Sequence, residues 1–177
     1  MQRRIRQISV LLAAALVAFA AIAGPGRYLE RDTFLHNAFP NVAPQQGTLW
    51  LTDELRAPIE QALGHSLRVL RVPYWHAAGR TAWVLDEIGK EEPITIGVVV
   101  EHGTVAMVRV LEFRESRGWE VGYPFFTDQF NGARLNGATQ LDKRVDAITG
   151  ATLSVSAVQR VVRTALRLHE AALRDAS

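Results

Sequence analysis

The stretch DAITGATLS, Asp146 to Ser154, gathers the residues of this chain whose types and spacing could do chemistry. Two hydroxyls, Thr149 and Thr152, flank the small pair Gly150-Ala151, and a third, Ser154, follows. A helical pattern begins directly behind them. Val155, Val158, Val161, Val162, Ala165, Leu166 and Leu173 approximate one face from about Ser154, while Arg160, Arg163, Arg167 and Glu170 take the other. Thr152 therefore falls within a residue or two of a helix start, where backbone N–H groups lack partners and the positive end of the dipole favours an anion. Gly150 permits close approach or an unusual φ, and Ala151 keeps side-chain bulk away. Three roles fit such a hydroxyl: a plain helix cap, a phosphate-binding group, or an acceptor for a covalent phosphoester. Ser and Thr are the usual residues at helix starts, so residue type alone leaves all three open.

The Gly-Ala-Thr core occurs a second time, in NGATQL, Asn136 to Leu141, without this setting. Ala133 stands where the first copy has Asp146, Leu141 stands where it has Ser154, and Asp142-Lys143-Arg144 carries no helical apolar stripe. Thr139 reads as an ordinary turn residue.

The elements that must position the first copy are legible upstream. Thr52 sits at an N-cap position, Asp53 and Glu54 occupy a first turn, Leu55, Ile59 and Leu63 recur every four residues, and Gly64 closes the pattern, which predicts a helix. Short β-like runs follow at Ser66 to Val72, Thr81 to Leu85 and Thr95 to Val100, and Glu101-His102-Gly103 reads as a hairpin connection into a strand over Thr104 to Arg114. The segment SRGWEVGYPFFTDQFNG then packs Trp119, Tyr123, Phe125, Phe126 and Phe130 among glycines, as a core plug or as one wall of a pocket for a flat ligand. The expected architecture is α+β, an antiparallel sheet packed with two or more helices in a single domain.

A length of 177 residues suits one globular domain with a real core. At the amino terminus, Arg3, Arg4 and Arg6 precede 16 uncharged residues, Ile8 to Ala23, which end in a small-x-small pattern. Residues 1–23 are read as a signal peptide or an N-terminal membrane anchor, which would put the rest on the extracytoplasmic, periplasmic side. Residues 24–47, with Pro25, Pro40 and Pro44, read as a linker or approach segment, and residues 48–177 as the domain. Without the three leader arginines, 17 basic residues face 18 acids, a net of −1, so the pI of 9.4 reflects the leader as much as the domain. No basic cluster remains to suggest a nucleic-acid partner. The absence of cysteine excludes disulfides, thiolate zinc sites, iron–sulfur clusters and c-type haem attachment within the chain. His36, His65, His76, His102 and His169 show no metal-ligand spacing, and no nicotinamide fingerprint is present.

Asp146-x-x-Thr149-Gly150-Ala151-Thr152-x-Ser154 resembles the flavinylation motif of the FMN-binding domain family, which includes the FMN-carrying subunits of the sodium-translocating NADH:quinone oxidoreductase and of the Rnf complex. The resemblance extends to Gly103-Thr104-Val105, to Glu115-Ser116-Arg117-Gly118 and to Phe126-Thr127-Asp128-Gln129-Phe130-Asn131-Gly132, and covers about residues 93–165, within a motif-bearing half of about 93–177. Ser116-Arg117 departs from the Thr-Pro typical of the respiratory subunits. The resemblance implies FMN joined to Thr152 through its phosphate, donated from FAD by a separate flavin transferase with release of AMP. It implies roles near the cofactor for Asp146, Thr149, Gly150, Ala151 and Ser154. It also suggests a ring wall from Trp119, Phe125, Phe126 and Phe130, with Glu115 and Gln129 near the polar edges and Lys143 or Arg144 near the phosphate. The function so implied is an extracytoplasmic electron carrier between a membrane-bound reductase and another acceptor. A small flavin-dependent reductase, or a non-redox exported ligand-binding domain with Thr152 as a plain cap, are the alternatives.

Overall fold

The computed structural model describes residues 26–175. The leader expected over residues 1–23 lies outside them, and among the described residues no helix is long and apolar enough to cross a membrane. Six strands form one antiparallel sheet: β1 (Gly26–Arg27), β2 (Gln45–Trp50), β3 (Arg71–Ala77), β4 (Arg80–Ile88), β5 (Pro93–Glu101) and β6 (Thr104–Phe113). Their order across the sheet is β1-β6-β5-β4-β3-β2, so β2 to β6 form a meander and β1 returns to pair beyond β6. Helices α1 (Arg31–Ala38), α2 (Asp53–Leu63), the single-turn α3 (Pro124–Thr127) and the 24-residue α4 (Thr152–Asp175) complete the α+β fold.

The meander follows from strand chemistry and tight turns. Val98, Val99 and Val100 alternate between the two faces of β5 and are all buried, because both faces of the sheet are covered. The β5–β6 connection is the two-residue His102-Gly103 turn, with φ of 50° and 72°, the backbone twist that suits a hairpin. In β6, Ala106 and Leu111 are extra residues opposite the register steps at Val99/Val100 and Thr95/Ile96. Each is a bulge, and such insertions increase the local twist of the strand that leads to the candidate site.

One face of the sheet carries the main core. Trp83, Ile94, Ile96, Val98, Val100, Val108 and Phe113 meet Val155, Val158, Val161, Val162, Ala165 and Leu166 of α4, with Ile59 of α2 beside them. Helix α4, about 36 Å long at 1.5 Å per residue, thus lies along the sheet by the valine face seen in the sequence. Leu173 departs from that face and is exposed. Thr52 caps α2, accepting from the N–H of Leu55 at 3.4 Å, and Gly64 ends it.

The segment over residues 24–47 is more than a linker: it contains β1, α1 and the start of β2. Phe34, fully buried, covers the opposite face of the sheet at Gly97, where a β-carbon would stand 2.6 Å from the ring. With eight residues and only Phe34 and Ala38 fully covered, α1 is too short to show helical periodicity in the sequence. The strand expected over Ser66 to Val72 is also displaced. Residues 65–70 are irregular, held by Arg56, which donates to the carbonyls of Leu67 at 2.7 Å and Val69 at 3.1 Å, and β3 runs Arg71–Ala77 instead. NGATQL forms a small hairpin, β7 (Leu135–Asn136) and β8 (Gln140–Leu141), with Thr139 exposed in its turn.

Candidate functional site

The chain enters α4 through a tight turn in which the N–H of Ala151 donates to the carbonyl of Ile148 at 3.0 Å. Gly150 takes a φ of 81° there, in the left-handed region where a side chain is strained. The carbonyl of Ala151 accepts the first helical bond, from Val155 N–H at 2.9 Å. Ala151 is therefore the N-cap and Thr152 the first helical residue, one position later than a capping threonine. A methyl group accepts nothing, and alanine at an N-cap costs about 0.5–2 kcal/mol relative to Ser or Thr. Among the described residues no side-chain oxygen accepts from the N–H of Thr152, Leu153 or Ser154. Those donors and the helix dipole are left for an outside acceptor.

Small residues at 151 and 154 are explained by what lies over them. Gly118 packs directly on the first turn of α4: a β-carbon there would stand 2.7 Å from Ser154 Oγ and 3.2 Å from the Ala151 methyl. Its φ of 88° is also one that glycine adopts freely. Ala151 and Ser154 are consequently buried, whereas Thr152 and Leu153 face solvent. Ser154 belongs to the packing of the turn, and Thr152 presents its hydroxyl outward.

A cleft of about 610 Å³ opens at this helix start. It is lined by residues 150–154 and, from other elements, by Lys90, Glu115, Ser116 and Arg117. Glu115, 5% exposed, follows β6 by two residues. Its Oε1 accepts from three successive backbone N–H groups of the β4–β5 connection: Lys90, Glu91 at 2.7 Å and Glu92 at 3.0 Å. Burial pushes the Glu115 carboxyl up, but the three N–H donors and the nearby Lys90 charge outweigh it and hold its pKa below the ordinary 4.5. The side chain is thus a buried carboxylate that fastens the Lys90 connection to the rim of the cleft. Among the described residues its Oε2 has no partner, and it is not sealed from solvent.

The expected ring wall is only partly at the surface. Phe126 and Phe130 are fully buried and meet edge to face, centroids 5.5 Å apart, within the main core. Two apolar rings gain more from complete burial than from lining a water-filled cleft, so they support the segment from inside. Trp119 is half-buried against the same core, and Phe125 is 62% exposed. Gln129 is a brace: its Nε2 donates to the Phe125 carbonyl at 3.2 Å and its Oε1 accepts from Asp146 N–H at 2.8 Å. It ties the aromatic segment to the first residue of the motif. Asp146 and Thr149 are exposed. Lys143 donates to the carbonyl of Asn131 at 2.6 Å, and neither it nor Arg144 lines the cleft.

Lys90, Ser116, Arg117 and Leu153 are the cleft residues that sequence reasoning missed as site residues. Leu153 was legible as an apolar residue off the valine face of α4, and it is 51% exposed. Arg117 was visible as a departure within ESRG, but nothing local indicated which way it faced. Lys90 comes to the cleft only through the long-range bonds to Glu115.

No curated protein matches the chain. Residues 89–167 match the family model described as the FMN-binding domain. That stretch runs from the Lys90 connection through Glu115 and Gly118 to the valine face of α4, and over it the chain is similar to the FMN-binding domain family.

Proposed function

We propose that the chain is an extracytoplasmic electron-transfer flavoprotein that carries FMN on Thr152 through a phosphoester bond and relays electrons between a membrane-bound reductase and another acceptor. The observation that carries this reading is the offset between Ala151 and Thr152. Where this chain needs a threonine cap it places one at the N-cap, as Thr52 does for α2. At α4 it leaves the N-cap to alanine and puts the hydroxyl on the exposed first helical residue, beside unpaired N–H donors. A plain cap does not explain that arrangement, whereas a phosphate bonded to Thr152 lies against those donors.

The residues present fit such a group. The cleft is open to solvent, its helix start lacks a side-chain acceptor, and two cationic side chains line it. Attachment requires Thr152 Oγ1 to lose its proton to a base of a flavin transferase and to bond to the FAD phosphorus nearest riboflavin. The bond from that phosphorus to the bridging oxygen breaks, and AMP leaves. Bound there, FMN supplies reversible electron-transfer chemistry. The protein's part is to hold the phosphodiester, whose remaining negative charge the helix start stabilises by up to about 1 kcal/mol if exposed, and to leave a redox edge accessible to partners. The exposed Asp146 carboxylate is available for recognition by the transferase.

Electron relay is favoured over a self-contained reductase by the state of Glu115. An enzyme reducing a soluble acceptor needs a proton donor at the cleft, and Glu115 is the acid that lines it. Three backbone donors keep that group ionised at neutral pH, as an acceptor of hydrogen bonds. Co-expression of the full chain with a flavin transferase tests the proposal: flavin fluorescence that stays with the polypeptide after denaturing electrophoresis is expected. Release of all flavin on denaturation would contradict it.

A further inference from the structure

Arg117 is held over the first turn of α4 by two fixed points. On one side, Glu115 is buried and fastened by the N–H groups of Lys90, Glu91 and Glu92. On the other, Gly118 packs on Ser154 and Ala151. Ser116 and Arg117 form a two-residue span between these anchors, both exposed and both lining the cleft with Thr152. At about 3.3 Å per residue the span has little slack, so the Arg117 backbone has little freedom to leave the cleft.

The two cations of the cleft differ in their commitments. Lys90 Nζ is paired with Glu91 Oε1 at 2.8 Å. The Arg117 guanidinium has no hydrogen-bond or ion-pair partner among the described residues. A planar fork of donors beside an uncapped helix start is suited to the oxygens of a phosphate, which accept such a fork in charge-assisted pairs.

We propose that Arg117 pairs with the phosphate carried on Thr152. The assignment rests on the reading of Thr152 as the attachment residue. Arg117 is a positioning residue for the phosphate end of the cofactor and takes no part in electron transfer itself.

The experiment uses full-length wild type, Arg117→Gln and Arg117→Lys, each co-expressed with a flavin transferase and followed by intact mass and by phosphorus NMR of the protein-linked phosphodiester. The expected result is a phosphorus resonance in Arg117→Gln displaced from the wild-type position, with Arg117→Lys between the two, and a wild-type resonance that moves toward that of Arg117→Gln as salt is raised. Slower attachment in Arg117→Gln than in Arg117→Lys would support the pairing equally. An Arg117→Gln protein flavinylated at the wild-type rate, with an unchanged resonance, would overturn the pairing and leave Thr152 as the attachment residue. Wild type without FMN on Thr152 would overturn the attachment reading and the pairing together. Matching circular dichroism and thermal unfolding in the three proteins separate a phosphate effect from a folding one.

Discussion

Gly118 and Ser154 are in contact across the candidate site: a β-carbon on Gly118 would stand 2.7 Å from the Ser154 hydroxyl oxygen. The aromatic segment and the Gly-Ala-Thr stretch, with Gly118 and Ser154 36 positions apart in the chain, are thereby packed as one unit. The identity of each end limits the other. No side chain fits at 118, and only a small one fits at 154.

Gly118→Ala should therefore act on both stability and loading. The left-handed φ of 88° carries a strain of about 1–3 kcal/mol for a residue with a β-carbon, and the added methyl also pushes on the start of α4. Urea unfolding should show a loss of at least that size, and intact mass should show slower attachment of FMN to Thr152. A variant with wild-type stability would mean that residues 116–118 are not fastened to the helix.

Thr152→Val should abolish covalent flavin while leaving the fold intact, because the side chain faces solvent and surface changes away from special features lie within about 0.5 kcal/mol. Thr139→Val should leave the flavin attached. Denaturing electrophoresis with flavin fluorescence reads both, and a fluorescent Thr152→Val band would move the attachment elsewhere.

Glu115→Gln should weaken the Lys90 connection by about 1.5–3 kcal/mol at neutral pH, the range for hydrogen bonds to a charged group. Because the folded pKa of Glu115 is lowered, its contribution is present above the ordinary value of 4.5 and is lost as pH falls through the lower folded value. Acid titration of unfolding free energy should show wild type converging on Glu115→Gln in that window. Parallel curves from neutral to acid pH would contradict the carboxylate clamp.

His65 gives the opposite sign. Its ring meets the buried Glu87 carboxylate at 3.0 Å, and Glu87 also accepts from Arg160 Nε at 2.8 Å, so the irregular segment after α2 is tied to β4 and α4. The hydrogen bond to Glu87 raises the His65 pKa above 6.5 against the smaller opposing effect of burial. Its stabilisation is full below 6.5 and is lost as pH rises through the raised value. His65→Ala should thus cost more stability at pH 6 than at pH 9, with Glu87→Gln removing the difference. Equal losses at both pH values would show that the charged form plays no part.

The motif and the helix behind it were legible because both are local. Thr149 to Ser154 spans one turn, and the valines of α4 repeat at the helical period over many residues, so spacing alone placed Thr152 at a helix start. The hairpin at His102-Gly103 was legible for the same reason. What spacing could not resolve was which residue caps α4. That depends on the single bond from Val155 N–H to Ala151, and it separates a capping threonine from a presented one. The site walls were less legible still. Phe126 and Phe130 have the composition of a ligand wall and the burial of a core, and only the path of α3 decides between them. Glu115 looked like a polar edge, but its Oε1 is occupied by three N–H groups from a connection more than twenty residues upstream. Helix α1 left no periodic trace because it is only eight residues long and fully buries just Phe34 and Ala38.

The most direct test of the central claim is the intact mass of the full chain, co-expressed with a flavin transferase and exported, followed by peptide mapping. Attachment predicts an FMN-sized increment confined to the peptide that contains Thr152, and no increment on the peptide that contains Thr139. An unmodified chain, or an increment mapped to any other residue, would contradict it.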